Sequence, residues 1–457
     1  MTIETIILAA GQGTRMQSSM AKVLQPLAGK AMINYVIEAA QTVSKHIHLI
    51  VGHQAKQVQT QLQSLDVNFI LQHQQLGTGH AVAQALPALQ DDSTVLVLYG
   101  DVPFLRSETL KQITQIAATQ DTLCLLTAFP DDSTGYGRII RDKNQQVCAI
   151  IEHKDASDEQ KQINEINSGI LAVPARYLKL WLPKLSNQNS QGEYYLTDIV
   201  ALAVNDGLTI HTVHPACIEE TLGVNDRIQQ AALERWYQRQ QATHLMSNGV
   251  TCADPGRLDI RGEVKTGQDV FIDINNVFEG SVTLGNGVHI GPNCFIKNSV
   301  IADHVEIKAN TVIEDAEIGP DSIVGPFARI RPGTQLSDGV HIGNFVEVKN
   351  SQINTGSKVN HLTYIGDADI GTHVNVGAGT ITCNYDGANK FRTTIADAVF
   401  VGSNSTLVAP VELTEGSFIA AGSVITRKTE PGKLTIARTR QKTVEGWRKP
   451  VKQKDGK

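Results

Sequence analysis

The second half of the chain keeps a six-residue rhythm of apolar positions. Val264, Val270, Asn276, Val282, Val288, Cys294 and Val300 stand six apart. After a slip in phase, so do Val312, Ile318, Val324, Ile330, Leu336, Ile342 and Val348, and a third run comprises Ile395, Val401, Leu407, Leu413, Ile419 and Ile425. An amphipathic helix would repeat at three and four, and a half-buried strand at two. A period of six predicts one short strand and one turn per repeat, stacked as a parallel β-helix with these positions inward. Small and polar residues between them, as in "IGPNCF" and "VGSNST", suit the corners. A sandwich would show intervals drifting over about 8–12 residues.

The first half has a different pattern. "TIILAAG", "HIHLIVG", "VNFILQ" and "STVLVLYG" read as strands, and "QAKQVQTQLQ" and "HAVAQALPAL" as helices between them. Alternation of this kind predicts a parallel α/β sheet with its ligand at the carboxyl ends of the strands. "DRIQQAALERWYQRQQATHLMSNG" has many helix formers and a Gly249 stop, so it predicts a long helix between the halves, with Trp236 and Tyr237 packed on a neighbour. We divide the chain into residues 1–227, a linker helix 228–249, a β-helix 250–437 and a basic tail 438–457.

Composition narrows the partners. The 457 residues carry a formal charge of −6, which gives no basic footprint for nucleic acid. The six cysteines lack CxxC or CxxH spacing, which disfavours zinc sites and a disulfide framework. No leader pattern and no membrane-length apolar window stand in the sequence, so a cytoplasmic protein is expected.

Candidate chemistry in the first half sits where strands end. Leu8-Ala9-Ala10-Gly11-Gln12-Gly13 follows the first strand, and glycines there let backbone N–H groups approach phosphate oxygens. Arg15 and Lys22 add two cations. Gln72 can pair with a pyrimidine edge, and Gly77-Thr78 leaves room for a base or ribose, although a plain polar turn fits that loop equally. Tyr99-Gly100-Asp101 leaves an apolar strand, an arrangement suited to holding Mg²⁺ on a substrate phosphate. Gly137, Glu152 and Asn167 place polar groups among small residues, and Asn225 closes the stretch.

In the second half the rhythm fails around 350–394, in "NHLTYIGDADIGTHVNVGAGTITCNYDGANKFRTT". His361 is the candidate general base, set among Asn360, Tyr364, Asn375, Asn384 and Tyr385. Arg329, Arg331, Lys349 and Lys390 suit a sugar phosphate. The loop from Asn384 to Thr394 looks too polar to fold back on its own coil, so it is expected to reach a neighbouring chain.

The hexad runs resemble the left-handed β-helix acyltransferases, which supplies the handedness and an expected parallel homotrimer. "LAAGQGTRM" followed by Lys22 resembles the sugar-nucleotide pyrophosphorylase signature, with Ala21 where that pattern has a rigidifying proline. Over its whole length the chain resembles the bacterial bifunctional family that joins N-acetylglucosamine-1-phosphate uridylyltransferase to glucosamine-1-phosphate N-acetyltransferase. The resemblance implies that Leu8, Ala9, Ala10, Gly11, Gln72, Gly77 and Thr78 hold the uridine nucleotide. It further implies that Arg15 and Lys22 meet the triphosphate of UTP. Tyr99, Gly100, Gly137, Glu152 and Asn167 would surround the sugar, and Asp101 with Asn225 would bind Mg²⁺. In the second half it gives His361 as the base, with Asn384 beside it in catalysis. Arg331, Lys349, Tyr364, Asn375 and Lys390 would bind the acetyl acceptor. Ala378, Asn384, Tyr385, Ser403, Ala421 and Arg438 would line acetyl-CoA, with the Ser403 N–H facing the thioester oxyanion. A nucleotidyltransferase whose β-helix serves only assembly, as in some ADP-glucose pyrophosphorylases, would not need the polar insertion. A pure scaffold would need neither "LAAGQGTRM" nor "YGDVP".

Overall fold

The computed structural model describes residues 2–452; the last five positions of the basic tail lie outside the described residues. The chain forms two compact units, Met1–Gln240 and Gln241–Lys457, and the helix Arg227–Ser247 runs across their boundary.

In the first unit the apolar strands assemble as the alternation predicts. Ile3–Ala9 lies between His46–Val51 and Thr94–Tyr99, parallel to both, and Asn68–Leu71 extends the sheet beyond His46–Val51. Ile166–Pro174 enters antiparallel between Thr94–Tyr99 and Cys124–Ala128, so the sheet is mixed rather than purely parallel. A hairpin of Arg138–Arg141 and Val147–Ile151 branches off Ile166–Pro174. Alternate residues of the central strands feed two cores. Ile7, Leu96 and Leu98 face the helices Met32–Gln41 and Ser107–Thr119, whereas Ile6, Val95 and Val97 face Ala175–Trp181 and Ile199–Asn205. Trp236 and Tyr237 pack as expected: Phe104 stacks on Tyr237 with ring centroids 4.5 Å apart, and Trp236 lies 5.5 Å from Phe104.

The second unit is the left-handed parallel β-helix. Its short strands form three ladders, each strand pairing in parallel with its counterpart one coil on. One ladder stacks Phe271–Ile272, His289–Ile290, Glu306–Ile307 and onward to Leu434–Thr435. Most hexads bury two positions two apart, such as Val288 with Ile290 and Val340 with Ile342, because a strand turns alternate residues inward. This explains the slip in phase. The first apolar run tracks one of the two inward positions and the later runs track the other. Two members of the runs are corrected by the structure: Val300 points outward at 49% exposure, and Val312 is only partly covered, with Ile301 and Ile313 taking the interior instead. Each fully buried aliphatic side chain contributes about 1.5–3 kcal/mol, so the repeated interior is the main source of stability. Ser and Thr inside the corners bond to backbone, as when Ser299 donates to the Lys297 carbonyl at 2.6 Å.

Candidate active sites

The first site opens at the carboxyl ends of Ile3–Ala9 and Thr94–Tyr99, where strand order changes direction. A cavity of about 410 Å³ is lined by Leu8, Ala9, Ala10, Gly11, Lys22, Gln72, Gly77, Thr78, Tyr99 and Asp101, all expected from the sequence. Gln12, Gln75 and Glu193 join them without having been singled out. Beside Gly11 no protein atom stands within 4 Å of where a Cβ would be, so this backbone is open to a ligand. Gly13 has φ +60°, and a Cβ there would fall 2.7 Å from the Lys22 Cβ. The glycine lets the loop close onto the lysine stem.

Lys22 is the centre of the charged floor. Its ammonium pairs with the Asp101 carboxylate and donates to the Asn225 amide oxygen at 2.9 Å. Two oxygens from distant parts of the chain thus converge on one cation, a donor set that suits a small hard metal ion completed by phosphate oxygens. Among the described residues no group of three or more His, Cys, Asp and Glu that could hold a metal ion is found.

The sugar side adjoins this floor. Burial drives the Tyr99 phenol far above its ordinary pKa, and the nearby charges of Glu152 and Asp101 add to it, so Tyr99 remains a donor. Burial also raises the Glu152 carboxyl, while Thr197 donates to it at 3.1 Å. Asn167 donates its backbone N–H to the Gly137 carbonyl at 2.9 Å, and a Cβ on Gly137 would stand 3.5 Å from Glu152. Gly100 is held to strand Ile3–Ala9 by the Leu8 carbonyl at 2.9 Å. Arg15 is the exception: it is exposed on the turn Thr14–Met16 and does not line the cavity. Gln72 is engaged rather than open, bonding to the Gly77 carbonyl at 3.3 Å and to His80 at 3.0 Å.

Ala21 keeps a proline-like backbone, φ −54° and ψ 139°. The N–H that proline would lack is accepted by the Gln57 side chain at 2.6 Å, and Gln54 donates to the Ser19 carbonyl at 2.8 Å. Two glutamines, one in the helix Ala55–Gln61 and one at its N-cap, thereby hold the loop that ends in Lys22.

The second site runs along one corner of the β-helix. Asn344, His361, Ala378, Ser403 and Ala421 occupy equivalent places in five successive coils. The carbonyls of the first four accept the N–H groups of Leu362, Gly379, Asn404 and Gly422 in turn, at 2.7–3.2 Å. Arg438 ends the row by donating to the Ala421 carbonyl at 2.6 Å. With coils about 4.8 Å apart, His361 to Ala421 spans about 14 Å, room for an extended ligand. The row is exposed at His361, Ser403, Ala421 and Arg438. Asn344 accepts from His361 Nδ1 at 2.9 Å, which leaves Nε2 free to take a proton. Asn344 escaped the sequence reading, although it lies one coil of 17 residues before His361.

Beside this row lies the cation cluster. Arg331 pairs with Glu347 at 2.8 Å, and Lys349 lies 3.5 Å from Asp367. Lys349 and Lys390 adjoin and shift each other in opposite directions, Lys349 above its usual pKa with the charge of Asp367 beside it and Lys390 below its own. Two amino groups this close favour a shared anion. Tyr364 pairs in register with Glu347 on the same ladder, and Asn375 with Lys358 on a neighbouring one. Arg329 takes its place on the strand Arg329–Ile330.

The polar loop corrects one expectation. Asn384 is buried and donates to Asp367, Arg392 pairs with Asp369, and Phe391 N–H donates to the Asn384 carbonyl at 2.8 Å. Two carboxylates on the underlying coil accept the loop's polar ends, so these fold back on their own chain. Only the tip is left outward, with Tyr385 at 60% exposure and Lys390 exposed.

Residues 5–245 match the family model for the MobA-like NTP transferase domain, and residues 260–341 match that of the GMPPB C-terminal domain. The Bifunctional protein GlmU of Marinobacter nauticus is 56% identical over 452 residues, covering 98% of this chain and 99% of that protein. The protein of the same name from Pseudomonas putida (strain GB-1) is 54% identical over 455 residues, covering 99% of this chain and 100% of its own. The chain belongs to the bifunctional GlmU family. It is accordingly a bifunctional transferase of UDP-N-acetylglucosamine synthesis, which acetylates glucosamine-1-phosphate and transfers UMP from UTP to N-acetylglucosamine-1-phosphate.

Proposed function

We propose that the two reactions are divided between the two halves, uridylyl transfer in residues 1–227 and acetyl transfer in 250–437, with 228–249 as linker and 438–457 as a basic tail. The observation that carries the first assignment is the convergence of Asp101, Asn225 and Lys22 at the cavity floor. In this reading Leu8 to Gly11, Gln72, Gly77 and Thr78 seat the uridine nucleotide of UTP. Tyr99, Gly100, Gly137, Glu152 and Asn167 seat the sugar. Asp101 and Asn225 supply the oxygens for Mg²⁺, which when bound neutralises phosphate charge. Lys22, at the same floor, would offer its ammonium to the phosphates, and Arg15 on its exposed turn would meet the triphosphate from outside.

In the second half, His361 Nε2 takes the proton from the acceptor amine as that amine attacks the acetyl thioester, and the acyl C–S bond breaks to release coenzyme A, which leaves as the thiol with that proton. Asn344 holds the imidazole in the required tautomer. Arg331, Lys349, Tyr364, Asn375 and Lys390 anchor the sugar phosphate. Ala378, Asn384, Tyr385, Ser403, Ala421 and Arg438 follow acetyl-CoA along the corner. Because His361 and the loop tip are open to water, we read the site as completed by a second chain in a homotrimer. The protein is read as cytoplasmic; among the described residues no helix is long and apolar enough to cross a membrane.

One preparation tests the reading. Full-length protein receives glucosamine-1-phosphate, acetyl-CoA, UTP and Mg²⁺, with thiol, pyrophosphate and UDP-sugar followed separately. Mixed oligomers of a His361→Ala chain and a Tyr385→Ala chain are expected to recover acetyl transfer. If they form and recover none, the shared-site reading is wrong.

A further inference from the structure

The corner of the β-helix that carries Asn298, Asp315, Gly333, Asn350 and Asp367 stacks side-chain amides on carboxylates. Asn298 donates to Asp315 at 3.1 Å, and Asn350 donates to Asp367 at 2.6 Å. The first pair is an exposed rung, and the neighbouring Lys297 bonds to Glu279 instead. The second pair has gained more. Asp367 is only 6% exposed, and it receives a second amide from Asn384 and the Lys349 ammonium at 3.5 Å. Burial opposes ionisation of its carboxyl, yet the bonds from Asn350 and Asn384 and the charge of Lys349 outweigh burial and hold its pKa below the usual range. An ionised carboxylate only accepts hydrogen bonds. The Asn384 amide is therefore locked with its NH₂ end on Asp367, which leaves its carbonyl end for a partner.

We propose that Asp367 is the positioning residue of the acetyl-transfer site, fixing Asn384 to present an acceptor to a substrate N–H and holding Lys349 for the acceptor's phosphate. The inference rests on the assignment of acetyl transfer to this face. Two substrates offer the N–H: the amine of glucosamine-1-phosphate and the amides of the pantetheine arm of acetyl-CoA.

The test is Asp367→Asn in the full-length protein. Asn350 and Asn384 donate to different oxygens of the Asp367 carboxylate, so in Asp367→Asn one of them faces a new NH₂ donor, and Lys349 loses its counter-charge. Loss of charge-assisted bonds predicts a fall of about 10- to 100-fold in acetyl-transfer kcat/KM, with uridylyl transfer unchanged. Asn384→Ala, which leaves Lys349 beside Asp367, makes the assignment: a rise in KM for glucosamine-1-phosphate assigns the N–H to the amine, and a rise in KM for acetyl-CoA assigns it to pantetheine. In an Asn384→Ala background Asp367→Asn is expected to cost less, only the share carried through Lys349, because Asp367 and Asn384 act as a unit. Asp315→Asn, the matching change in the exposed rung, is expected to leave both activities alone. Should Asp367→Asn not fold, Asn384→Asp keeps an acceptor but places a second carboxylate against Asp367, and the same loss is expected. Unchanged kcat/KM for both substrates in the folded variant, or additive costs in the double variant, overturns the inference. If His361→Ala also keeps full acetyl transfer, the assignment of the face has failed rather than the role of Asp367.

Discussion

The two sites are built on opposite plans. In the first unit, strand ends and loops from distant parts of the sequence surround a cavity, and its cation is already paired by two oxygens. In the second, residues repeat coil by coil along an exposed corner, with little to exclude water from His361. A convergent sheet makes a cleft within one chain. A solenoid makes a row, which suits an extended ligand but shields it poorly. In the proposed assignment, phosphoryl transfer, which depends on charge and position, takes the enclosed site, and acetyl transfer, which needs a base and an oxyanion donor, takes the open one.

The contrast is broken most sharply by removing one group from each site. Asp101→Ala is expected to reduce uridylyl transfer by about 10²–10³-fold or more while acetyl transfer continues. Pyrophosphate release at a near-normal rate would remove Asp101 from the metal site. His361→Ala is expected to lower acetyl transfer by about 10²–10⁴-fold and spare uridylyl transfer. Supplying N-acetylglucosamine-1-phosphate should bypass that defect, and a full rate of thiol release would count against His361 as the base.

A smaller effect concerns the loop before Lys22. Gln57→Ala leaves the Ala21 N–H without its acceptor, and one such bond predicts a fall of about two- to tenfold in uridylyl kcat/KM. In an Ala21→Pro background, where that N–H is gone, Gln57→Ala should cost almost nothing. Equal losses in both backgrounds would show that Gln57 acts by another route.

The smallest expected effect is on acid stability. Glu165 receives Arg141 at 2.7 Å through both carboxylate oxygens. Burial works to raise its pKa, but Arg141 and Thr127 outweigh burial and hold it below the ordinary 4.5. Its stabilising contribution is thus fully present above that value and is lost as pH falls through the depressed one. Glu165→Gln should lower melting temperature at neutral pH and flatten its decline in acid. A decline as steep as that of the unaltered protein would assign the acid loss to other carboxylates.

Much of this was written along the chain. Hexad spacing sets a β-helix because each repeat must turn one strand's apolar residues inward, and strand-terminal glycines mark a phosphate-facing loop for local steric reasons. Those signals act over a few residues. They could not say which of two inward positions each run followed, so Val300 was placed inside when Ile301 is. Nor could they show that Asn344 orients His361, that Gln57 replaces the stiffness of a proline, or that Asp367 draws Asn384 back onto its own coil. Each of these is a contact between residues at least 17 positions apart. The coil length and the packing of neighbouring elements bring such residues together, so only the tertiary structure decides them.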